Sequence, residues 1–216
     1  MTSKKVTAIV PIKLNNERVP GKNTKMLKGH PLIYYILDAL VHCGKCDEIM
    51  VYCSSKEIIP YLPRGVVFKK RPEYLDSQSA NFTQIFEQII LDIPSDIYAY
   101  AHATAPFLNA ATIAKCITAV TEGNYDSSFT AVKIQDFLWM REKPLNFDPC
   151  NLPRSQDLEP IYRETSGIWV FDKEVFTSCH RRIGVHPYIM EVPFKESIDI
   201  NTPEDFRLAE IMADYE

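Results

Sequence analysis

The apolar positions of the chain follow two patterns, short β-branched runs and longer segments with helical spacing. Val6–Pro11 is a β-branched run that ends at a polar loop, as a central parallel strand does. Pro31–Cys43 then repeats apolar residues at helical spacing, with a proline in its first turn and Gly44 just beyond its end. The start of the chain therefore predicts a strand, a loop and a helix.

The same order of strand, loop and helix continues along the chain. Further strands are predicted at Glu48–Cys53, Val66–Lys69, Ile97–Ala101, Ser128–Ile134, Gly167–Phe171, Tyr188–Val192 and Ser197–Ile200. Further helices are predicted at Asn81–Leu91, Ala110–Thr121, Asp172–Cys179 and from Pro203 onward. This alternation is typical of a doubly wound, Rossmann-like α/β fold with a mostly parallel, mixed sheet. In such folds ligands bind beyond the carboxyl ends of the strands.

Length and charge narrow the functional classes. A chain of 216 residues with 46% hydrophobic residues suits a single domain spanning residues 1–216. Its net charge is −4 and its basic residues are scattered, which argues against a nucleic-acid binder with a basic face. No apolar run reaches the roughly 18 residues of a membrane span, and Val6–Ile12 is too short for the core of a signal peptide. We therefore expect a cytoplasmic protein without nucleic-acid or membrane partners.

Six cysteines are present, and only Cys43 and Cys46 form a Cys-x-x-Cys pair. A structural zinc site needs a second such pair or histidines at matching spacing, and neither is found. We therefore expect reduced, partly buried thiols rather than metal or redox chemistry.

The polar loop after the first predicted strand carries three cations, Lys13, Arg18 and Lys22. Three amide side chains accompany them, those of Asn15, Asn16 and Asn23. Cations and amides that converge in this way bind phosphate oxygens. The loop has neither the Walker A pattern nor Gly-x-Gly-x-x-Gly, so a solvated loop with incidental charge is the alternative interpretation.

Several blocks of sequence resemble the acylneuraminate cytidylyltransferase family. They follow the family's order over almost the whole chain, at residues 9–13, 18–23, 29–35, 71–75, 102–106, 156–164 and 197–206. The chain departs from the family where Lys13 replaces arginine, His102 replaces glutamine, Leu108 replaces arginine and Asn201 replaces aspartate. Lysine keeps the charge of arginine but loses its planar fork. The resemblance therefore implies a divergent member.

The resemblance implies a cytidylyltransferase that moves CMP from CTP to the hydroxyl of an acidic sugar, sialic acid or a related ulosonic acid, and releases pyrophosphate. By the same resemblance, the nucleotide-binding residues are Pro11, Ile12, Lys13, Asn15, Arg18, Lys22, Asn23, Arg71, Asn81, His102 and Thr104. Lys13, Lys22 and Asp199 are the expected catalytic residues. Transfer of this kind depends mainly on positioning and on charge stabilisation.

On the acceptor side, the resemblance implies Gln156, Arg163, Thr165 and Ser166. Arg163 suits a sugar carboxylate, because a guanidinium binds a carboxylate with two parallel hydrogen bonds. The alternative is that Arg163 forms a surface ion pair with Glu164 or Asp157.

A magnesium ion is expected at Asp199 and Asn201, which alternate along a predicted strand and so point the same way. Mg²⁺ prefers oxygen ligands and often uses only one or two carboxylates beside phosphate and water. Asp199 is the stronger candidate ligand, since Asn201 is uncharged. Glu204 and Asp205 are expected to be helix-start carboxylates instead.

Relatives of this kind are commonly dimers, and by resemblance residues 133–156 are the expected dimerisation segment of a homodimer. Three alternatives to the acidic-sugar function remain. In the first, the enzyme uses the same CTP-binding residues with a phosphorylated sugar acid or polyol as the acceptor. A glycosyltransferase would carry Asp-x-Asp after a mid-chain strand, and residues 102–106 lack it. An inactive nucleotide-binding module fits Lys13, Leu108 and Asn201, whereas Lys22 and Asp199 argue against it.

One further basic run, Arg181–Gly184 followed by His186, is expected to be solvated.

Overall fold

The computed structural model describes residues 4–215. The strands are β1 (Val6–Ile12), β2 (Met26–Leu27), β3 (His30–Pro31), β4 (Glu48–Cys53), β5 (Val66–Lys70), β6 (Ile97–Ala101), β7 (Ser127–Ile134), β8 (Trp139–Met140), β9 (Lys143–Pro144), β10 (Ile161–Asp172) and β11 (Pro187–Glu191). The α-helices are α1 (Leu32–His42), α2 (Phe82–Asp92), α3 (Ala110–Thr121), α4 (Lys173–Cys179) and α5 (Pro203–Met212).

Seven strands form the central sheet, in the order β11-β7-β10-β6-β1-β4-β5. The central strand β1 pairs in parallel with β4 and with β6. The long strand β10 runs antiparallel to both of its neighbours, β6 and β7. This arrangement confirms the predicted doubly wound, mostly parallel mixed sheet.

Both faces of the sheet are buried, which explains the continuous apolar run of β1. Ala8, Val10 and Ile12 point to one face and pack against α1 and α3. Ile9 points to the other face and packs against α2 and α4. A strand with a helical layer on each side needs apolar residues at every position, because side chains alternate between the faces.

An aromatic cluster fills the layer between the sheet and α2. The ring of Phe86 on α2 lies 5.0 Å from that of Tyr98 on β6, 4.9 Å from that of Phe171 on β10 and 4.7 Å from that of Phe176 on α4. Phe86 is fully buried. The side chain of Phe86 therefore connects α2 with β6, β10 and α4.

Side chains at the helix starts explain where the helices begin. Asn81 accepts a hydrogen bond from the backbone N–H of Gln84, whose side chain bonds back to the Asn81 backbone. Thr202 and Asp205 form the same reciprocal pair at the start of α5. Each pair satisfies two backbone donors that a helix start otherwise leaves free. Asp205 is thus a helix-start carboxylate, as predicted.

Two predicted strands differ from the structure. Ser197–Ile200 does not form a strand, because Phe194–Ser197 makes a short 3-10 turn and Ile200 bonds to Thr104 instead of to a sheet. Its apolar alternation reflects packing of Ile198 and Ile200 against α5. β10, by contrast, begins at Ile161 rather than Gly167, since its polar first half still pairs with β7 beyond the core.

The segment 133–156 carries the small hairpin of β8 and β9. Its aromatic rings pack on one another, with Phe147 lying 5.0 Å from Phe137 and 5.5 Å from Trp139. Trp139 is nevertheless 60% exposed. Within residues 4–215, no helix combines the length and apolar composition needed to cross a bilayer.

Replacing Phe86 with alanine is expected to lower the free energy of unfolding by about 3–5 kcal/mol, because it leaves a cavity where four elements meet. Leu91→Ala on the same helix is the matched control. Leu91 is 76% exposed, and its replacement should change stability by less than about 0.5 kcal/mol. Urea unfolding followed by circular dichroism measures both, and equal effects would contradict the packing described here.

Candidate functional site

A cavity of about 390 Å³ opens at the carboxyl edge of the sheet, where β1 and β6 end. Ten of the residues predicted from sequence line it: Pro11, Lys13, Lys22, Asn23, Arg71, His102, Thr104, Ser166, Asp199 and Asn201. They come from both ends of the chain, and the doubly wound fold brings their loops to the same edge.

Lys22 is a buried cation in the wall of this cavity. Gly21 before it has a positive φ of 64°, a conformation that glycine adopts without strain, and this turns the chain into the short helical turn Lys22–Thr24. The Lys22 side chain is only 9% exposed. Its Nζ donates a hydrogen bond to the carbonyl oxygen of Ile200 at 2.6 Å. The first loop is thereby tied to the segment that carries Asp199.

Burial lowers the pKa of Lys22, since the charged ammonium loses solvation. The charges of Arg18 and Lys13 act in the same direction, whereas Asp199 and Asp205 oppose them. An anionic group bound at this wall would offset the lost solvation of the Lys22 ammonium.

Asn23 closes the loop on itself. It is 5% exposed, and its amide nitrogen donates to the carbonyl oxygen of Lys13 at 2.9 Å and to the side chain of Asn16 at 3.4 Å. These bonds hold the two ends of the loop together. Through these two hydrogen bonds Asn23 fixes the shape of the cavity wall, and Asn16 also lines the cavity.

Arg71 follows β5 and forms another wall of the cavity. Its guanidinium is 3% exposed and pairs with the carboxylate of Asp76, which also accepts a hydrogen bond from Ser54. Its Nε, however, is buried without a hydrogen-bond partner among the described residues. A buried donor of this kind loses solvation free energy until a partner binds, so Arg71 is prepared for an acceptor group.

Asp199 and Asn201 line the cavity on either side of Ile200 in sequence. The amide nitrogen of Asn201 donates to Oδ2 of Asp199 at 2.6 Å. Oδ1 of Asp199 is buried and accepts no hydrogen bond from the part of the chain that the structure describes. An unpartnered carboxylate oxygen beside a polar cavity is suited to a hard cation. In residues 4–215, no cluster of three His, Cys, Asp or Glu side chains is placed to hold a metal, so ligand oxygens would have to complete the coordination.

His102 lies at the end of β6 between two aromatic rings, 5.0 Å from Trp169 and 5.4 Å from Tyr100. Its backbone N–H donates to the carbonyl oxygen of Gly167. Burial lowers its pKa to about 4, against the nearby charge of Asp199, and Arg182 and Lys22 lower it further. The imidazole is therefore neutral near pH 7 and offers hydrogen bonds without charge.

A bulge in β10 brings Ser166 to the cavity. From Glu164 to Trp169 this strand advances five positions while β7 advances two, from Ala131 to Phe129. The extra residues loop out of the ladder, as bulges beside functional sites do. The hydroxyl of Thr165 lies 2.6 Å from that of Thr130 and donates to the Thr130 carbonyl oxygen at 3.1 Å.

Seven of the predicted residues do not line the cavity: Ile12, Asn15, Arg18, Asn81, Gln156, Arg163 and Thr165. Ile12 points into the core, because strand neighbours alternate and Pro11 faces the ligand side. The Asn81 side chain is used to cap α2. The hydroxyl of Thr165 donates to the carbonyl oxygen of Thr130 on β7.

Arg163 and Gln156 are exposed outside the cavity. Neither ion pair considered for Arg163 is present. Glu164 pairs instead with Arg182 at 2.7 Å, and Asp157 pairs with Arg154.

The cavity and the fold are matched by known proteins. A family model described as "Cytidylyltransferase" matches residues 7–214. The chain belongs to the cytidylyltransferase family.

Curated relatives cover nearly all of the chain at moderate identity. An N-acylneuraminate cytidylyltransferase of Oncorhynchus mykiss is 26% identical over 95% of this chain and 49% of its own length. This chain thus spans about half the length of that relative. A CMP-N,N'-diacetyllegionaminic acid synthase of Legionella pneumophila is 26% identical over 95% of both chains.

Among solved structures, a CMP:2-keto-3-deoxy-manno-octonic acid synthetase complexed with CTP superposes with a TM-score of 0.69. It is 14% identical and covers 98% of this chain and 100% of its own. This likeness shows that the two proteins share a fold.

The sequence did not indicate six further residues that line the cavity: Leu75, Ser77, Ala80, Ile85, Tyr100 and Ala103. Tyr100 carried a usable signal, because it lies two positions before His102 and thus on the same face of β6. Arg182 was expected to be solvated. Its guanidinium instead lies 4.0 Å from the ring of Trp169 and pairs with Glu164.

Acidification should destabilise the folded chain through His102. Its pKa is about 4 when folded and about 6.5 when unfolded. Between these values the unfolded chain binds the extra proton, so stability falls as the pH drops from 6.5 to 4. Between pH 7 and pH 4, the free energy of unfolding of His102→Gln should fall by about 2 kcal/mol less than that of the wild type. This difference is smaller than the full pKa shift would give, because cavity water screens part of the effect. Urea unfolding at both pH values measures this, and parallel losses would show that His102 is not buried neutral.

Proposed function

We propose that this chain transfers CMP from CTP to the hydroxyl of an acidic sugar of the sialic or related nonulosonic acid class, releasing pyrophosphate, in glycan or surface-polysaccharide biosynthesis. The observation that carries the proposal is a single cavity in which buried Lys22 and the unpartnered oxygen of Asp199 face the same space. The names of the relatives from Oncorhynchus mykiss and Legionella pneumophila support this substrate class.

The triphosphate is proposed to lie against the first loop, with Lys13 and Lys22 neutralising its oxygens. Both residues line the cavity. Arg18 is exposed near the rim and contributes only longer-range charge. A buried ammonium interacts more strongly with phosphate than an exposed one, because water screens it less.

The base is proposed to be held by Arg71. Its buried Nε needs an acceptor, and the carbonyl oxygen of a pyrimidine ring provides one. Leu75 and Tyr100 line the same cavity and offer apolar and aromatic surface to a flat ring.

A divalent cation, proposed to be Mg²⁺, would be held by Oδ1 of Asp199, with Asn201 beside it. The residues fit such an ion, because Oδ1 is buried and unpartnered while Asn201 orients the carboxylate through Oδ2. When bound, such an ion stabilises negative charge on phosphate oxygens and lowers the pKa of a coordinated hydroxyl.

In the proposed reaction the acceptor hydroxyl oxygen bonds to the α-phosphorus of CTP. The bond from that phosphorus to the bridging oxygen breaks, pyrophosphate leaves with the electron pair, and the hydroxyl proton passes to solvent. Lys22 stabilises the charge that develops on the phosphate oxygens. Ser166 and neutral His102 are placed to orient the acceptor by hydrogen bonds.

A pyrophosphate-release assay with CTP, UTP, ATP and GTP against a panel of ulosonic acids and phosphorylated polyols tests this function. We expect a signal with CTP and a nonulosonic acid. A signal with CTP and a phosphorylated polyol would show that the acceptor is of that class and not an acidic sugar. No signal with any pair would favour a nucleotide-binding module without activity.

Lys22→Ala is expected to lower turnover at least about a hundredfold, because transition-state charge stabilisation is lost. Lys25→Ala is the matched control, since Lys25 is exposed and lies over the ring of Phe206 outside the cavity. It should keep near-normal turnover. Circular dichroism checks that both variants fold. Normal turnover in folded Lys22→Ala would remove Lys22 from the mechanism.

Asp199→Asn removes the charge at nearly constant volume. We expect the Mg²⁺ concentration that gives half-maximal activity to rise at least about tenfold, since a charged ligand is lost. Asp214→Asn serves as the control, because that carboxylate pairs with Lys28 on the surface. An unchanged Mg²⁺ dependence of activity in Asp199→Asn would show that the cation binds elsewhere.

We further propose that the chain forms a homodimer through residues 133–156. Five large apolar side chains of this segment are at least 40% exposed: Phe137, Trp139, Met140, Leu145 and Leu152. Clustered apolar exposure of this kind is typical of protein interfaces.

Light scattering should give twice the chain mass for the wild type and the chain mass for Trp139→Asp, whose charge opposes burial. Leu91→Asp is the matched control, as Leu91 is 76% exposed but lies on α2, outside this segment. It should remain dimeric. A monomeric wild type at micromolar concentration would refute the dimer.

A further inference from the structure

Cys43 and Cys46 lie in the turn that follows α1, and their Sγ atoms are 3.8 Å apart. Both side chains are partly exposed. Gly44 between them has a positive φ of 62°, so the chain turns sharply there. Within residues 4–215, no other two cysteine sulfurs lie in such contact. Cys53 and Cys116 are buried, and Cys150 and Cys179 are exposed.

The two sulfurs are already close to bonding geometry. A disulfide needs about 2.05 Å between them, so an approach of roughly 1.8 Å is sufficient. Cys43 caps the end of α1, where its backbone N–H still donates to the carbonyl oxygen of Ala39, and Cys46 lies in the turn beyond it. Rotation of the two side chains therefore provides the approach without unfolding the helix.

The environment shifts the pKa values of the two thiols in opposite directions. A hydrogen bond from the Cys46 thiol lowers the pKa of Cys43 to about 7, opposed by burial and assisted by backbone N–H groups of Lys45 and Cys46. As a thiol, Cys43 donates to the carbonyl oxygen of Leu40 at 3.0 Å, a bond that its thiolate gives up. Its partner Cys46 has a raised pKa, because it keeps the shared proton and is buried.

We propose that Cys43 and Cys46 form a reversible thiol–disulfide site that reacts with small disulfides of the glutathione class. The Cys43 thiolate attacks one sulfur of the small disulfide, whose other sulfur leaves as a thiolate. The Cys46 sulfur, on losing its proton to solvent or to that leaving thiolate, attacks Sγ of the mixed disulfide at Cys43. The second small thiolate leaves, so the protein dithiol is oxidised and one small disulfide is reduced to two thiols.

The site is separate from the nucleotide cavity. Asp47, directly after Cys46, donates its backbone N–H to the carbonyl oxygen of Val6, at the amino end of β1. The cavity lies at the carboxyl end of the same strand. Lys45, between the two cysteines, pairs with Glu122 beyond the end of α3 rather than with a cavity residue. The proposal is therefore independent of the proposed transfer reaction.

Equilibration of the full chain in glutathione redox buffers, followed by acid quench, alkylation and peptide mass mapping, tests this site. We expect the wild type to lose two alkylatable thiols, with Cys43 and Cys46 linked in one peptide. Dithiothreitol should restore both. Cys46→Ser should instead accumulate glutathione on Cys43, since no second thiol resolves the mixed disulfide.

Cys150→Ser and Cys179→Ser are the matched controls, because these exposed cysteines have no sulfur partner in the described chain. Both should retain the Cys43–Cys46 link. The proposal is overturned if Cys43 and Cys46 stay alkylatable while Cys150 or Cys179 takes up glutathione. It is equally overturned if the link appears only after the chain is unfolded in urea.

Discussion

The ammonium group of Lys22 donates a hydrogen bond to the carbonyl oxygen of Ile200, joining residues that are 178 positions apart in the chain. A buried ammonium is costly unless its donors are used; this bond uses one of them, and the side chain also lines the cavity. The backbone N–H of Ile200 in turn donates to the carbonyl oxygen of Thr104. One peptide segment is thus held by the loop after β1 on one side and by the loop after β6 on the other.

The hydrogen bond between Lys22 and Ile200 matters for the site because it brings groups of opposite charge together without pairing them with each other. Lys22 bonds to a backbone carbonyl, and Asp199 is oriented by the amide of Asn201. The unpartnered oxygen of Asp199 and the unpartnered Nε of Arg71 remain for other groups. A cation and the phosphates of a nucleotide are the complementary partners of such a set.

Much of the fold follows from local signals. The bounds of Glu48–Cys53, Ile97–Ala101 and Ala110–Thr121 agree with the structure. Each strand is a mostly apolar, buried run, and the helix begins at Ala110, directly after Asn109, whose side chain caps it. Ser197–Ile200 was wrongly predicted as a strand, since apolar alternation does not reveal whether a neighbouring strand edge is free.

The sequence also located much of the cavity wall, including Lys22, Arg71, His102 and Asp199, because these residues follow strands or match family blocks. It did not separate residues that face the cavity from those that support it. Asn23 bonds to the other end of its loop, Asn81 caps a helix and Thr165 bonds to the neighbouring strand β7. Spacing along a strand predicts direction only while the ladder is regular.

The pinned peptide at Ile200 has a consequence for how a ligand is selected. Since both of its backbone groups are bonded to other segments, the wall that bears Asp199 and Asn201 is ordered when the chain folds. The conformational entropy of that wall is lost at folding and is not lost again on binding. A ligand that matches the cavity keeps more of its contact energy as affinity. A mismatched ligand finds a rigid wall that does not adapt to it.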